Sequence, residues 1–227
     1  MSEQIRLMFS DIAPSYDLGN DVLSFGTHRL WKRLLVRLSG AKRGDRVLDV
    51  ATGTGDIAAN FNDVVGTEGE VVGVDFCEPM ITEARRRWKD RQALRFETGD
   101  ALDLHFPSDS FDVSSISFGI RNVDRPVDGL AEMARVVKPG GSVVVLETGS
   151  PRGAWGGLYH FYTRKLFPFL GGLISGNREA YSYLDKTAAR FPCGEEFVAM
   201  MRQAGLHDID ARPLLGGVAW LYKGVVR

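Results

Sequence analysis

The sequence predicts an α/β fold: a mostly parallel sheet covered by helices on both faces, closed by an antiparallel last strand. Three observations predict it. Short apolar runs alternate with segments of helical periodicity over residues 46–149, and strands that are apolar on both sides belong to parallel sheets. The first run passes into a helix through the glycine-rich turn "ATGTGDIA" (51–58), as where a strand hands over to a helix beside a ligand. The last two runs, 206–212 and 217–225, are separated by "PLLGG" and read as an antiparallel pair.

Taken in order, "RVLDVA" (46–51) is a buried strand, and "GDIAANFNDVV" is the helix after it. "EVVGVDF" (70–76) is the second strand. "EPMITEARRRW" (78–88) is helical, with Glu78 and Pro79 favouring a helix start. "ALRFETG" (93–99) and "FDVSSISFG" (111–119) are the third and fourth strands. "VDGLAEMARVV" (127–137) is a helix with apolar residues at 127, 130, 133, 134 and 137, ended by "KPGG", and "SVVVLETG" (142–149) is the fifth strand. Crossovers between parallel strands are right-handed, and ligands bind outside the carboxyl ends of the strands where their order switches. "REAYSYLDKTAARF" (178–191) and "GEEFVAMMRQAG" (194–205) read as helices.

Composition bounds the function. The 227 residues carry 44% hydrophobic and 25% charged side chains and a net charge of −1. That is an ordinary globular balance, and no nucleic-acid partner is expected from it. Cys77 and Cys193 have no metal-ligand spacing, and none of the four histidines forms a metal pattern with Cys or acidic residues, so no metal is expected. The segment "MSEQIRLMFS" lacks the apolar centre of a signal peptide, and "LFPFLGGLISG" (166–176) is too short for a membrane span. A cytoplasmic location is expected, with room for peripheral contact at the inner face of the membrane.

The strongest chemical signal is the glycine loop. Gly53 and Gly55, with Thr54 between them, let the backbone approach a ligand closely. Asp75 ends the second strand, where a carboxylate accepts hydrogen bonds from two ribose hydroxyls. Gly53-x-Gly55-x-x-Ala58 also satisfies a dinucleotide fingerprint, so a nicotinamide enzyme stays open, as does a glycine turn with no ligand at all. Asp49, at the end of the first strand, favours S-adenosylmethionine: a carboxylate suits its cationic amino group and repels a pyrophosphate. Asp100 and Ala101, just past the third strand, fit an adenine, one accepting from its amino group and the other lining the base. Over residues 44–150 the arrangement resembles the class I SAM-dependent methyltransferases, which implies their Rossmann-like, seven-stranded fold.

"YDLGNDVLSFGTHRLWK" (16–32), "ISFGIRNV" (116–123) and "RVVKPGG" (135–141) together closely resemble the C-methyltransferases of menaquinone and ubiquinone biosynthesis. Tyr16, Asp17, Asn20, Ser24, Gly26, His28, Arg29 and Trp31 match that family's N-terminal motif, whereas Gly19 stands where the family usually has Met. The resemblance implies methyl transfer to a ring carbon of a prenylated quinol such as demethylmenaquinol. It implies one domain, with an N-terminal lid (1–40), a cofactor-binding core (41–150), substrate-covering helices (151–190) and a C-terminal helix and strand pair (191–227). The short N-terminus points to the menaquinone type; a ubiquinone-pathway or dual enzyme stays open, as does a non-catalytic adenosyl-binding scaffold. A homo-oligomer is compatible with the sequence.

Within that reading, Arg121 stabilises a developing quinolate and Asn122 orients the other hydroxyl; the alternatives for Arg121 are a helix cap or a pair with Asp124. Ser117 reaches the cofactor, or else bonds to backbone. His28 is a proton acceptor or a packing residue of the lid. Tyr16 donates to a quinol oxygen or anchors the lid. The aromatic stretch 155–176 forms a wall for the isoprenoid tail.

Overall fold

The structure is a computed structural model that describes residues 21, 24, 26–151, 153–163, 187 and 190–227. Tyr16, most of the predicted helix at 178–191 and the aromatic stretch beyond Thr163 lie outside the described residues.

Seven strands form one sheet: β1 (Arg46–Val50), β2 (Glu70–Asp75), β3 (Leu94–Thr98), β4 (Phe111–Ser117), β5 (Val137–Thr148), β6 (His207–Leu214) and β7 (Ala219–Val225). Their order is β3-β2-β1-β4-β5-β7-β6. The pairs β3–β2, β2–β1, β1–β4 and β4–β5 are parallel, whereas β7 runs antiparallel to both β5 and β6. The order reverses beside β1, so the carboxyl ends of β1 and β4 flank the switch point.

Helices α1 (Thr27–Ser39), α2 (Asp56–Val65) and α3 (Glu78–Arg87) cover one face of the sheet, and α4 (Pro126–Arg135) and α6 (Glu195–Gln203) the other. A further helix, α5 (Gly153–Phe161), follows β5. The first face buries Val47, Val71, Val113, Val144 and Leu146 against Trp31, Leu35, Ile57, Phe61 and Ile81. The second buries Leu48, Val50, Val72, Ile116, Val143 and Val145 against Leu130, Met133, Phe197 and Met201. Alternation along each strand thus feeds two cores, which is why the runs are apolar throughout.

α1 buries His28, Trp31, Lys32, Leu35, Val36 and Ser39, spaced three and four apart as one helical stripe. It ends at Gly40, in the left-handed region at φ 79°, where a side chain would be strained. α3 and α4 both carry Pro in their first turn, where the missing N–H costs nothing.

One boundary departs from the expectation. The helix predicted to run to Val137 ends at Arg135, and β5 begins at Val137 and runs through "KPGG". The pairing with β4 slips between Phe111↔Val137 and Val113↔Ser142, so a bulge absorbs Pro139 and the glycines. Gly140 sits at φ 83°, and its amide donates to the Val226 carbonyl at 2.8 Å. A Cβ on Gly141 would meet the Asp112 carbonyl at 2.6 Å. The Pro-Gly-Gly signal marked a break in a strand, and the helix had already stopped.

Candidate active site

An open cavity of about 710 Å³ lies at the carboxyl ends of β1 to β4. Gly53, Asp75, Asp100, Ala101, Ser117 and Asn122 line it, with Val50, Phe76, Met80, Phe118 and Val123 as apolar walls.

The floor is built from β1 and β2. The Thr52 amide donates to the Val74 carbonyl at 3.0 Å, which draws the loop after β1 across the end of β2. Asp75 then accepts from two backbone amides, Gly53 to Oδ2 and Cys77 to Oδ1, both at 2.9 Å. These bonds fix the carboxylate's plane before any ligand arrives. Burial pushes its carboxyl above the usual range, while the backbone N–H groups of Cys77, Gly53 and Phe76 pull it back down.

The glycines of the loop divide their labour. At Gly53, φ is 57° and a Cβ would meet nothing within 4 Å, so its freedom serves the cavity. At Gly55, φ is 84° and a Cβ would lie 2.6 Å from the Phe96 ring and 2.9 Å from Trp88. Gly55 therefore serves packing and caps α2; it does not line the cavity. Thr54 is also buried away from it, with its carbonyl accepting from the Trp88 indole at 3.0 Å.

The opposite wall comes from β4. Ala51 and Phe118, which follow β1 and β4, hold left-handed φ values of 52° and 54°. Two non-glycine residues with left-handed backbone, both lining the cavity beside the switch point, mark a constrained site. Gly119 fits there because a Cβ would come within 2.6 Å of the Ala51 methyl. Ser117 Oγ and Asn122 Oδ1 are buried and have no hydrogen-bond partner among the described residues. Both residues line the cavity, so a bound ligand offering polar hydrogens would satisfy them. Asp100 is held in a turn, its Oδ1 accepting the Leu102 amide at 3.0 Å.

Asp49 sits behind this surface, 1% exposed and outside the cavity lining. Ser115 donates to Oδ1 at 2.6 Å and Thr52 to Oδ2 at 2.7 Å. Burial raises its carboxyl to about 6, against the lowering influence of those two hydroxyls and of Lys32. Lys32 is itself buried on α1 and paired to Asp56 at 3.1 Å. An acid in that state favours a cation brought close to it.

His28 lies on the buried stripe of α1, 5% exposed and away from the cavity lining. Its Nδ1 is 2.7 Å from Ser24 Oγ. Burial, then the neighbouring Lys32 charge, lowers its pKa to about 4, so the ring is neutral at pH 7. Arg29 pairs with Asp21 in the same segment. The polar cluster that stands out in the sequence thus packs partly against itself.

Arg121 neither caps a helix by its side chain nor pairs with Asp124. Its guanidinium binds Glu147 at the end of β5, Nη1 to Oε1 at 2.5 Å. Glu147 is 1% exposed. Sequence reasoning missed it, although a lone carboxylate ending "SVVVLE" on a core strand was a readable signal. Lys32 was missed too, and its signal was a charge falling on an otherwise apolar helical stripe.

Known proteins resemble this chain throughout its length. The model of the ubiE/COQ5 methyltransferase family matches residues 1–226. The ubiquinone/menaquinone biosynthesis C-methyltransferase UbiE of Bdellovibrio bacteriovorus is 50% identical over 228 residues, which cover 99% of this chain and 97% of that protein. The demethylmenaquinone methyltransferase of Thermus thermophilus is 46% identical over 219 residues, covering 96% and 99%. Among solved structures, a SAM-dependent methyltransferase from Thermotoga maritima superposes with a TM-score of 0.68 at 21% identity, covering 98% of this chain and all of that one (100%). Another, from Aquifex aeolicus, gives 0.60 at 17% identity, covering 86% and 89%. These two likenesses speak to the fold, which is the class I Rossmann-like one.

Proposed function

The chain belongs to the ubiE/COQ5 family of S-adenosylmethionine-dependent C-methyltransferases, and we propose that it methylates a ring carbon of demethylmenaquinol to give menaquinol. The observation that carries the reading is the cavity itself. An oriented carboxylate, two apolar walls and two unsatisfied buried oxygens meet at the switch point of the sheet.

The residues fit the cofactor. Asp75 would accept from both ribose hydroxyls, because it lines the cavity and the Gly53 and Cys77 amides hold its carboxylate in place. Asp100 and Ala101 would meet the adenine edge, with Phe76 and Met80 against the base. Ser117 and Asn122 would each gain a donor. Asp49, buried beside the loop, favours positive charge in the methionine half. The bound cofactor supplies an electrophilic methyl group on a sulfonium.

The protein's tasks are alignment and making the ring electron-rich. Arg121, next in sequence to the cavity-lining Asn122 and buried against Glu147, would stabilise the quinolate oxygen as charge moves into the ring. Asn122 lines the same cavity, so it would reach both cofactor and substrate. Tyr16 belongs to the segment that would close the site against water, whereas His28 packs α1 onto the sheet and takes the structural one of its two expected roles. Trp155 and Leu215, 44% and 52% exposed, are joined by a 3.1 Å bond from the indole N–H to the Leu215 carbonyl. They support a place where an isoprenoid tail or a membrane surface meets the protein. No helix among the described residues is long and apolar enough to cross a membrane.

The test is incubation with methyl-labelled S-adenosylmethionine and reduced short-chain demethylmenaquinol, read by mass spectrometry, with a demethylated benzoquinol in parallel. Label on the naphthoquinol ring is expected. Label on the benzoquinol alone would move the enzyme to the ubiquinone pathway. Stabilisation by NAD(H), with none by S-adenosylhomocysteine, would refute the assignment of the cavity.

A further inference from the structure

Among the described residues, the most deeply buried ion pair is Arg121–Glu147, with side chains 7% and 2% exposed. Such a pair is poor evidence of stabilisation, because the desolvation of two charges roughly cancels their attraction. Its geometry is informative in another way. Glu147 is clamped by its own strand: Oε1 accepts from the Thr148 amide at 2.7 Å and from Thr148 Oγ1 at 3.0 Å, as well as from Arg121 Nη1. The carboxylate therefore cannot follow the arginine; the arginine is held by the carboxylate. A second link runs from the Arg121 amide to Oε2 at 3.5 Å, so backbone and side chain approach the same group.

The pair is also incomplete. Arg121 Nε is buried and has no partner among the described residues. A buried N–H without an acceptor is costly in a resting protein, and the next residue, Asn122, lines the cofactor cavity with its own unsatisfied oxygen. Two adjacent residues thus present a vacant donor and a vacant acceptor. Quinol oxygens match that set, one accepting as it ionises and one donating while it stays protonated.

We propose that Glu147 is a positioning residue that holds the Arg121 guanidinium so that Nε donates to the ring oxygen of the quinol on which charge develops. This rests on the methyltransferase reading above. Glu147 does not touch the substrate; it sets the direction of the buried, unpartnered Nε–H and supplies the counter-charge that keeps the guanidinium in the interior without substrate.

Three proteins test it: wild type, Glu147→Gln, and the double variant Arg121→Met/Glu147→Leu. Each is measured for thermal midpoint, affinity for S-adenosylhomocysteine, and kcat and KM with reduced short-chain demethylmenaquinol. Glu147→Gln is expected to keep cofactor-product affinity within about threefold while kcat falls at least about tenfold, because a misdirected donor no longer meets the developing charge. The double variant removes both charges, so it is expected to keep the thermal midpoint and cofactor-product affinity while kcat falls by about 10²–10³-fold. Wild-type turnover in the double variant would overturn the proposal and leave the pair a packing device. Loss of S-adenosylhomocysteine affinity as large as the loss of kcat would also overturn it, since Nε would then serve the cofactor. A wild-type protein that labels neither ring would overturn the functional reading, and this inference with it.

Discussion

Replacing Asp49 by Asn should change stability in a pH-dependent way. The carboxyl is 1% exposed and its pKa stands at about 6, against an ordinary 3.8. Between those two values the folded protein holds a proton that the unfolded chain has released. Stability from this group is therefore full below about pH 4 and lost as pH rises toward 6. That difference corresponds to about 3 kcal/mol. Ser115 and Thr52 donate to both oxygens, so Asn introduces a constant offset by forcing one hydroxyl to turn and accept. That offset is the same at both pH values, as are the titrations of distant carboxylates, which cancel between the two proteins. Urea unfolding of both at pH 4 and pH 7 should show Asp49→Asn gaining about 3 kcal/mol over wild type as pH rises. The same ionisation should appear in binding: wild-type affinity for S-adenosylmethionine should weaken by about tenfold from pH 7 to pH 5, whereas the variant should stay flat over that range. A stability difference that does not move with pH would refute the reasoning, because the buried carboxyl would then titrate as if in water.

Four further outcomes follow from neighbouring contacts. Gly55→Ala should lower stability by about 2–4 kcal/mol in urea unfolding, because its Cβ would overlap the Phe96 ring. Gly53→Ala, with open space around the Cβ, should cost only about 1–2 kcal/mol for the left-handed backbone while weakening S-adenosylhomocysteine more than Gly55→Ala does. Equal stability losses would contradict the division between the two glycines. Asp75→Ala should weaken S-adenosylhomocysteine by about 10- to 100-fold in calorimetry, as charged hydrogen bonds to two hydroxyls are lost; unchanged affinity would remove Asp75 from the ribose. Lys32→Met should move the Asp49 titration to higher pH, because the Lys32 charge lowers that pKa. A midpoint that stays put, followed by stability or cofactor affinity, would show that Lys32 is screened from Asp49.

Much of the cavity lining was legible in the chain because it is built from local pieces. A strand end, a glycine loop and an acid at the next strand end are adjacent in sequence and in space, so Gly53, Asp75, Asp100 and Ala101 could be named from spacing. Ser117 and Asn122 flank a strand end and were legible for the same reason. The two roles of Gly53 and Gly55 were not legible, because the Phe96 ring that excludes a Cβ from Gly55 comes from a strand some forty residues on.

What the sequence determined by itself was the order of elements and the side each strand presents, since the two-residue and 3.6-residue periods are properties of the local backbone. It also determined that acids and glycines fall at strand ends. The tertiary structure alone decided which polar groups would be deprived of water. Asp49 lies behind the cavity because β4 brings Ser115 beside it, and Arg121 meets Glu147 because β4 and β5 are neighbours in the sheet. His28 is neutral because α1 packs its stripe inward against the sheet. Charge state depends on solvent exclusion and on partners distant in the chain, and these exist only once the sheet has assembled.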